Sequence, residues 1–316
     1  MRIVPVLFPS DLGHSERGAW SEGGERGAPD LLLGLLESEG VRISAPVTVP
    51  VPRPDAAEGP DAPLKFDGLV AEAVRLLAEA VAEVNANADF PLVLGGDQLA
   101  TMGHILGHSA RHSAGIGLGV LCDAYADLDA PGRPTYDDKK ARRSEDDRPT
   151  TGNASRMTLT GCLRLIPENF ALGRLMAKSA LVGELTTVAG VRSTLSAQQR
   201  RMQRKSGVDL WTMERIELDG EAAWRTSLTS RLARGPTVLS IDVTGIDPEL
   251  MGATREPVSD GLDWGFLRRS LDPCLPHRDR ILGLDVTELD PKRDDAHNGA
   301  QSRLAETLAP FLKKLA

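Results

Sequence analysis

LVLGGDQLATMGHILGHSARHSAGIGLGVLCDAYAD, running from Leu92 to Asp127, is the stretch that decides the fold. Pro91 to Leu94 is a short apolar run that turns through Gly95 and Gly96 into Asp97. A helical segment follows from Leu99 to His112, and a second apolar run, Ile116 to Cys122, ends at Asp123. Short apolar runs bounded by glycine read as strands buried on both faces. Strand, helix, strand in that order predicts two parallel strands joined by a crossover helix.

The same alternation extends in both directions. Ile3 to Phe8 reads as a first strand rather than a signal peptide, because its apolar run is short and Pro5 and Pro9 interrupt it. The Gly-rich stretch Gly18 to Gly27 leads into a helix over Ala28–Glu37. Val41 to Val51 is strand-like, Asp55 to Pro63 is a Pro/Asp/Ala linker, and Leu69 to Val84 is a helix with an apolar stripe. Leu159 to Ile166 and Asn169 to Met176 continue the alternation. Beyond them, strands are expected at Thr186 to Val191, Val208 to Met213, Val238 to Val243 and Ile281 to Val286. Helices are expected at Ala197 to Lys205, Leu262 to Leu271 and Gln301 to Leu315. This pattern predicts a three-layer α/β/α domain over residues 1–316, with a mostly parallel sheet covered on both faces. Ligands in such sheets bind at the carboxyl ends of the strands, where Asp97, Asp123, Asp242 and Glu288 all fall.

Composition narrows the function classes. The chain is 41% hydrophobic, enough for a sizeable core over 316 residues. Its net charge of −8 argues against general affinity for nucleic acid. No apolar run reaches membrane-spanning length, and three scattered cysteines form neither a disulfide framework nor a thiolate zinc site. Cytoplasmic residence is expected. The segment Pro131 to Thr151 is almost wholly polar and follows Asp127 directly. It reads either as a mobile insertion or as a lid over the site.

Four motifs carry the chemistry: LVLGGDQ (Leu92 to Gln98), DAYAD (Asp123 to Asp127), SIDVTGIDP (Ser240 to Pro248) and GLDVTELDP (Gly283 to Pro291). In order and spacing they resemble the ureohydrolase superfamily of arginase, agmatinase and formiminoglutamase, over nearly the whole chain. That resemblance implies an arginase-like fold. It also implies a site in which GGDH, DAHAD and SxDxDxxDP hold two manganese ions that activate a hydroxide. Carried across, the six ligand positions are Gln98, Asp123, Tyr125, Asp127, Asp242 and Thr244. Only Asp123, Asp127 and Asp242 keep a carboxylate. Neutral tyrosine and threonine are poor ligands for a hard cation, so the full two-metal site is not expected. No metal is expected, with the alternative of one manganese or magnesium ion on Gln98, Asp123, Asp127 and Asp242.

The resemblance bears on the remaining positions as well. Glu288 matches the glutamate that pairs with a substrate guanidinium, or it forms a structural salt bridge. The loop TTGNASRM (Thr150 to Met157) resembles SGNLHGMP, with Ser155 in place of the proton-shuttling histidine and Asn153 retained. Asp129 replaces an asparagine that helps hold a substrate carboxylate, and Ser193 replaces an aspartate. In Gly252 to Val258, Arg255 and Glu256 stand where the family carries glycine and threonine. Three buried carboxylates need a cation, a proton or a basic partner. Arg255 is expected either to reach them, pairing with Asp123 or Asp242, or to lie in solvent; Arg192 and Arg156 are further candidates.

His104, His108 and His112 lie at i, i+4 and i+8 on one helix face. They read as surface or packing residues, with zinc binding as the alternative. Cys122 reads as an inert core thiol.

Arginine is therefore not the expected substrate. The leading expectation is a small-molecule-binding protein or a repurposed metal-independent enzyme acting on a cationic or amidine-type metabolite. Asp123, Tyr125, Asp127 and Glu288 would be its acid–base groups. Gln98, Asp129, Asn153, Ser155, Thr244 and Arg255 would be its binding groups. The alternatives are an inactive regulatory or scaffold subunit and a mononuclear-metal C–N hydrolase. Family resemblance adds a homo-oligomer, trimer or hexamer.

Overall fold

A computed structural model describes residues 2–14, 24–54, 62–132, 152–294 and 299–316. Most of the segment from Pro131 to Thr151, and most of the Asp55 to Pro63 linker, lie outside the described residues, as does the greater part of Gly18 to Gly27.

The eight strands form one sheet, β1 (Ile3–Phe8), β2 (Val47–Thr48), β3 (Phe90–Gly95), β4 (Ile116–Val120), β5 (Leu181–Val191), β6 (Asp209–Thr212), β7 (Thr237–Asp242) and β8 (Ile281–Thr287). Their order is β2-β1-β3-β8-β7-β4-β5-β6, and every pairing is parallel. Alternate side chains feed two cores. Ile3, Leu7, Leu92 and Leu94 face one helix layer; Val4, Val6, Phe8 and Val93 face the other. The first layer holds α1 (Ala28–Ser38), α8 (Glu221–Leu232), α9 (Trp264–Leu271) and α10 (Ala300–Leu315). The second holds α2 (Asp67–Ala86), α3 (Leu99–Ser109), α4 (Thr158–Cys162) and α5 (Ala171–Met176). The three-layer α/β/α architecture expected from the alternation is the observed one.

Several elements differ from the sequence reading. In the strand-like run Val41 to Val51, Val47 and Thr48 form the strand, and Ile43 adds an isolated parallel bridge to Ile3. Pro46 and Pro50 flank Val47 and Thr48 and cannot donate to a ladder, which leaves a short exposed edge. β5 begins five residues before the expected Thr186. α3 stops at Ser109, three residues before His112. Two helices, α7 (Met213–Asp219) and α8, fill a region to which the sequence reading assigned no element. None of the described helices is long and apolar enough to cross a membrane.

Adjacent strands β3, β8, β7 and β4 end side by side, so the residues after them converge on one rim. Two glycines make this close approach feasible. A Cβ at Gly96 would overlap the Ser10 carbonyl oxygen, and one at Gly245 would overlap the Asp123 amide. Asp97 then ties the turn after β1 to the end of β3. Its Oδ2 accepts from the Gly13 amide at 2.7 Å and the Ser10 hydroxyl at 2.8 Å. Asp97 is thus a buried brace, and it positions His14 one residue further on.

Candidate active site

Asp123, Asp127 and Asp242 are all buried, and one carboxylate oxygen from each lies within 4.8 Å of the others. Asp123 follows β4. Its Oδ1 accepts from the Tyr125 amide at 2.7 Å and its Oδ2 from the Gln98 side-chain amide at 3.3 Å. Asp242 ends β7 and caps the next turn, accepting from the Thr244 amide at 2.8 Å and the Thr244 hydroxyl at 2.5 Å. Asp127 sits at φ +45°, in the left-handed region that costs a non-glycine residue roughly 1–3 kcal/mol. Its buried Oδ2 has no hydrogen-bond partner among the described residues. Glu288, after β8, is likewise left-handed at φ +67°. Its Oε1 accepts from the Gln98 backbone amide at 2.8 Å, and its Oε2 lies 2.6 Å from His14 Nε2.

So much buried acid shifts its own titration. Burial pushes the Asp123 carboxyl well above its ordinary range, and the charge of Asp242 adds to this. Asp127 moves the same way through burial and then Asp123, and Glu288 through burial and then Asp242. Asp242 is pushed up by burial to about 6, with the two Thr244 hydrogen bonds pulling it back. Burial also raises the Tyr125 phenol, opposed by Arg156, so its hydroxyl stays protonated near neutral pH.

The basic partner differs from the one expected first. Arg255 pairs with Glu25, at 3.7 Å, and not with Asp123 or Asp242. Glu25 is a nearer buried anion, which is the physical reason for the change. The arginine that faces the aspartates is Arg156. Its guanidinium stacks on the Tyr125 ring, 3.2 Å from the centroid, and pairs with Glu256. Burial works against its charge, but Glu256, Asp127 and Tyr125 outweigh that and raise its pKa. Arg192 instead clamps backbone carbonyls, among them those of Thr244 at 2.7 Å and Val258 at 2.7 Å.

The cavity is lined by Gln98, Tyr125, Asp127, Ser155, Asp242, Thr244 and Glu288 from the sequence reading, with Arg156, Glu256 and His14. Asp129 and Asn153 are engaged elsewhere. Asp129 accepts from the Gln199 amide at 2.7 Å, and Asn153 from Lys65 Nζ at 3.0 Å. His14 and Glu25 were not singled out by sequence, although His14 stands just past the carboxyl end of β1, where site residues of this fold belong. With the Arg156 guanidinium in place, the free space is about 10 Å³, room for roughly one water.

His104 is a packing residue. Its Nδ1 lies 2.8 Å from Asp285 Oδ2, and both side chains are fully buried. Cys122 is buried and its thiol is pushed far up by burial, as an inert core cysteine should be.

The donor set can be tested against the metals of the resembling enzymes. Tyr125 is stacked under a cation and the Thr244 hydroxyl donates to Asp242, so neither neutral group stands free as a donor to a second ion. One hard ion fits the three carboxylates, and Asp127 Oδ2 offers it an unused oxygen. Gln98 would join only by turning its amide, because its nitrogen now faces Asp123.

A profile described as the Arginase family matches residues 6–310. The chain is 27% identical to an arginase of Brevibacillus brevis over 255 residues, covering 79% of this chain and 78% of that one. It is 27% identical to a formimidoylglutamase of Chromobacterium violaceum, with 92% and 90% covered. The solved arginase of Bacillus caldovelox superposes with a TM-score of 0.80 at 24% identity, covering 98% of each chain. With the strand order, the rim of strand-terminal carboxylates and a profile spanning nearly its whole length, this chain belongs to the arginase family.

Proposed function

We propose that this chain is a divergent arginase-family protein that binds a single hard divalent cation at Asp123, Asp127 and Asp242, and that it does not perform two-manganese hydrolysis of arginine. The observation that carries this reading is the convergence of three buried carboxylates beside Gln98, Tyr125 and Thr244, where two-metal chemistry needs ligands of another kind. An ion held there would supply Lewis-acid polarisation to an amidine-type or otherwise cationic small molecule. The surrounding residues do the rest. Tyr125 keeps its phenolic proton and presents it to the cavity as an acid. Glu288, raised by burial, exchanges its proton at higher pH than an ordinary carboxylate. Arg156 and Glu256 close the cavity against water, so a substrate must displace the Arg156 guanidinium from Tyr125 to enter.

A second reading is an inactive regulatory or scaffold subunit. It is favoured by one specific feature, the guanidinium of Arg156 standing as a built-in cation over a cavity of about 10 Å³.

The test starts from the ligand positions. Supplied with manganese and arginine, the wild-type protein should release no urea above background. Combining Gln98→His, Tyr125→His, Thr244→Asp and Arg156→Gly should create a second manganese site, seen by calorimetric titration. Arg156→Gly belongs in the set because a histidine at position 125 would otherwise meet the guanidinium. Wild-type turnover of arginine above about 1 s⁻¹, an ordinary enzymatic rate, would contradict the proposal.

A further inference from the structure

On the β1 side of the cavity lies a second cluster, which shares Glu288 with the site already described. His14 comes from the turn after β1, Glu25 from the turn before α1, and Glu288 from the end of β8. Their relative exposures are 3%, 2% and 2%, so none is a solvated surface group. One imidazole nitrogen and one oxygen from each glutamate lie within 4.8 Å of one another.

The hydrogen bonding there is incomplete. Among the described residues, neither carboxylate oxygen of Glu25 has a hydrogen-bond partner, and Arg255, at 3.7 Å, pairs with it by charge without donating. A buried carboxylate without a donor is costly. His14 adds a second constraint. The Ser155 hydroxyl donates its one proton to the Gly13 carbonyl at 3.0 Å, so it accepts from His14 Nδ1 at 3.3 Å. Nε2 then stands 2.6 Å from Glu288 Oε2, a contact that needs a shared proton; a metal ion held by both atoms would replace that proton, with the two atoms drawn apart to about 3.3 Å. An imidazole whose other nitrogen is fixed by a hydrogen bond is the usual arrangement of a histidine ligand.

We propose that His14, Glu25 and Glu288 form a second metal site, for a first-row divalent ion of the zinc class, beside the aspartate triad. One imidazole with two carboxylates suits zinc better than the all-oxygen triad does. Three protein ligands leave a fourth position open towards the cavity that Glu288 lines. The site does not rest on occupation of the triad, and the two are separable by variants.

Zinc(II) is titrated into chelator-stripped protein against a chromophoric competitor. Wild type should bind one tight equivalent. Glu25→Gln and His14→Asn should each weaken it tenfold or more, while Asp127→Asn and Asp242→Asn leave it unchanged. Unchanged affinity in Glu25→Gln, or loss in Asp242→Asn, would overturn the proposal. Where a variant does not fold, zinc-edge absorption on the wild type decides. One imidazole in the zinc shell supports the site, and a shell without imidazole overturns it, since the triad contains no histidine.

Discussion

Stripped of divalent cations by chelator, the protein should lose stability as the pH rises from about 4 towards 7, and manganese should restore it. The sign follows from the carboxylates. A group whose pKa is raised by folding binds its proton more tightly in the folded state. The folded state is therefore unpenalised below the unfolded pKa and loses stability as pH climbs through the folded one. Asp242, moved from 3.8 to about 6, loses roughly 3 kcal/mol across that window by itself. Asp123, Asp127 and Glu288, raised well above their ordinary values, extend the loss to higher pH. The expected fall in Tm is roughly 5–10 °C. Manganese at a thousand times its Kd should return about 4 kcal/mol. Asp127→Asn, lacking one of the mutually repelling charges, should show a shallower decline and higher stability in chelator at pH 7.5. Thermal melts at half-unit pH intervals, with and without manganese, provide the check. Buried His108, held well below its ordinary pKa, gains stability over the same window, so the carboxylate contribution is read from the difference between wild type and Asp127→Asn; equal slopes would show that the carboxylates are not under the strain described.

His104→Leu should destabilise the protein by about 3–5 kcal/mol, because it strands Asp285 in the core without its partner. Asp285 would retain only the Thr101 hydroxyl, at 2.9 Å. The packing leaves little room for relaxation, since a Cβ on Gly283 would already overlap His104 Nε2. Adding Asp285→Leu should recover part of the loss, as removing both members of a buried pair is far less damaging than removing one. Urea denaturation of the two single variants and the double variant measures this. A loss below about 1 kcal/mol in His104→Leu would mean that the pair contributes little. This effect belongs to folding. Zinc affinity at His14 should be untouched by it.

The sheet and the carboxylate rim were legible in the chain because each rests on a local signal. The buried runs ending at Asp97, Asp123, Asp242 and Glu288 have strand length and an acid at the carboxyl end, and parallel topology brings such ends together. The identity of the basic partner was not legible. Arg156, in the 3₁₀ turn Ala154–Met157, and Arg255, in a loop, stand at the same rim. Which one reaches the aspartates depends on Glu25 and Glu256, whose positions are set by tertiary packing. The aspartates' neighbour His14 was missed for a similar reason. Its significance comes from 2.6 Å contact with Glu288, a residue 274 positions away. Val41 to Val51 misled because its apolar residues suit a strand, while its prolines remove the donors a ladder needs. α8 did carry a signal, Trp224, Leu228 and Leu232 at helical spacing, all buried in the structure.

Bound manganese distinguishes a one-cation site from a two-cation site in this arginase-family chain. Protein exchanged into excess manganese and then dialysed should retain one equivalent by elemental analysis, and Asp127→Asn should retain none. Two equivalents in the wild type, lost together on that substitution, would mean that the ancestral pair survives. No retained manganese would mean that the three aspartates hold protons and Arg156 alone.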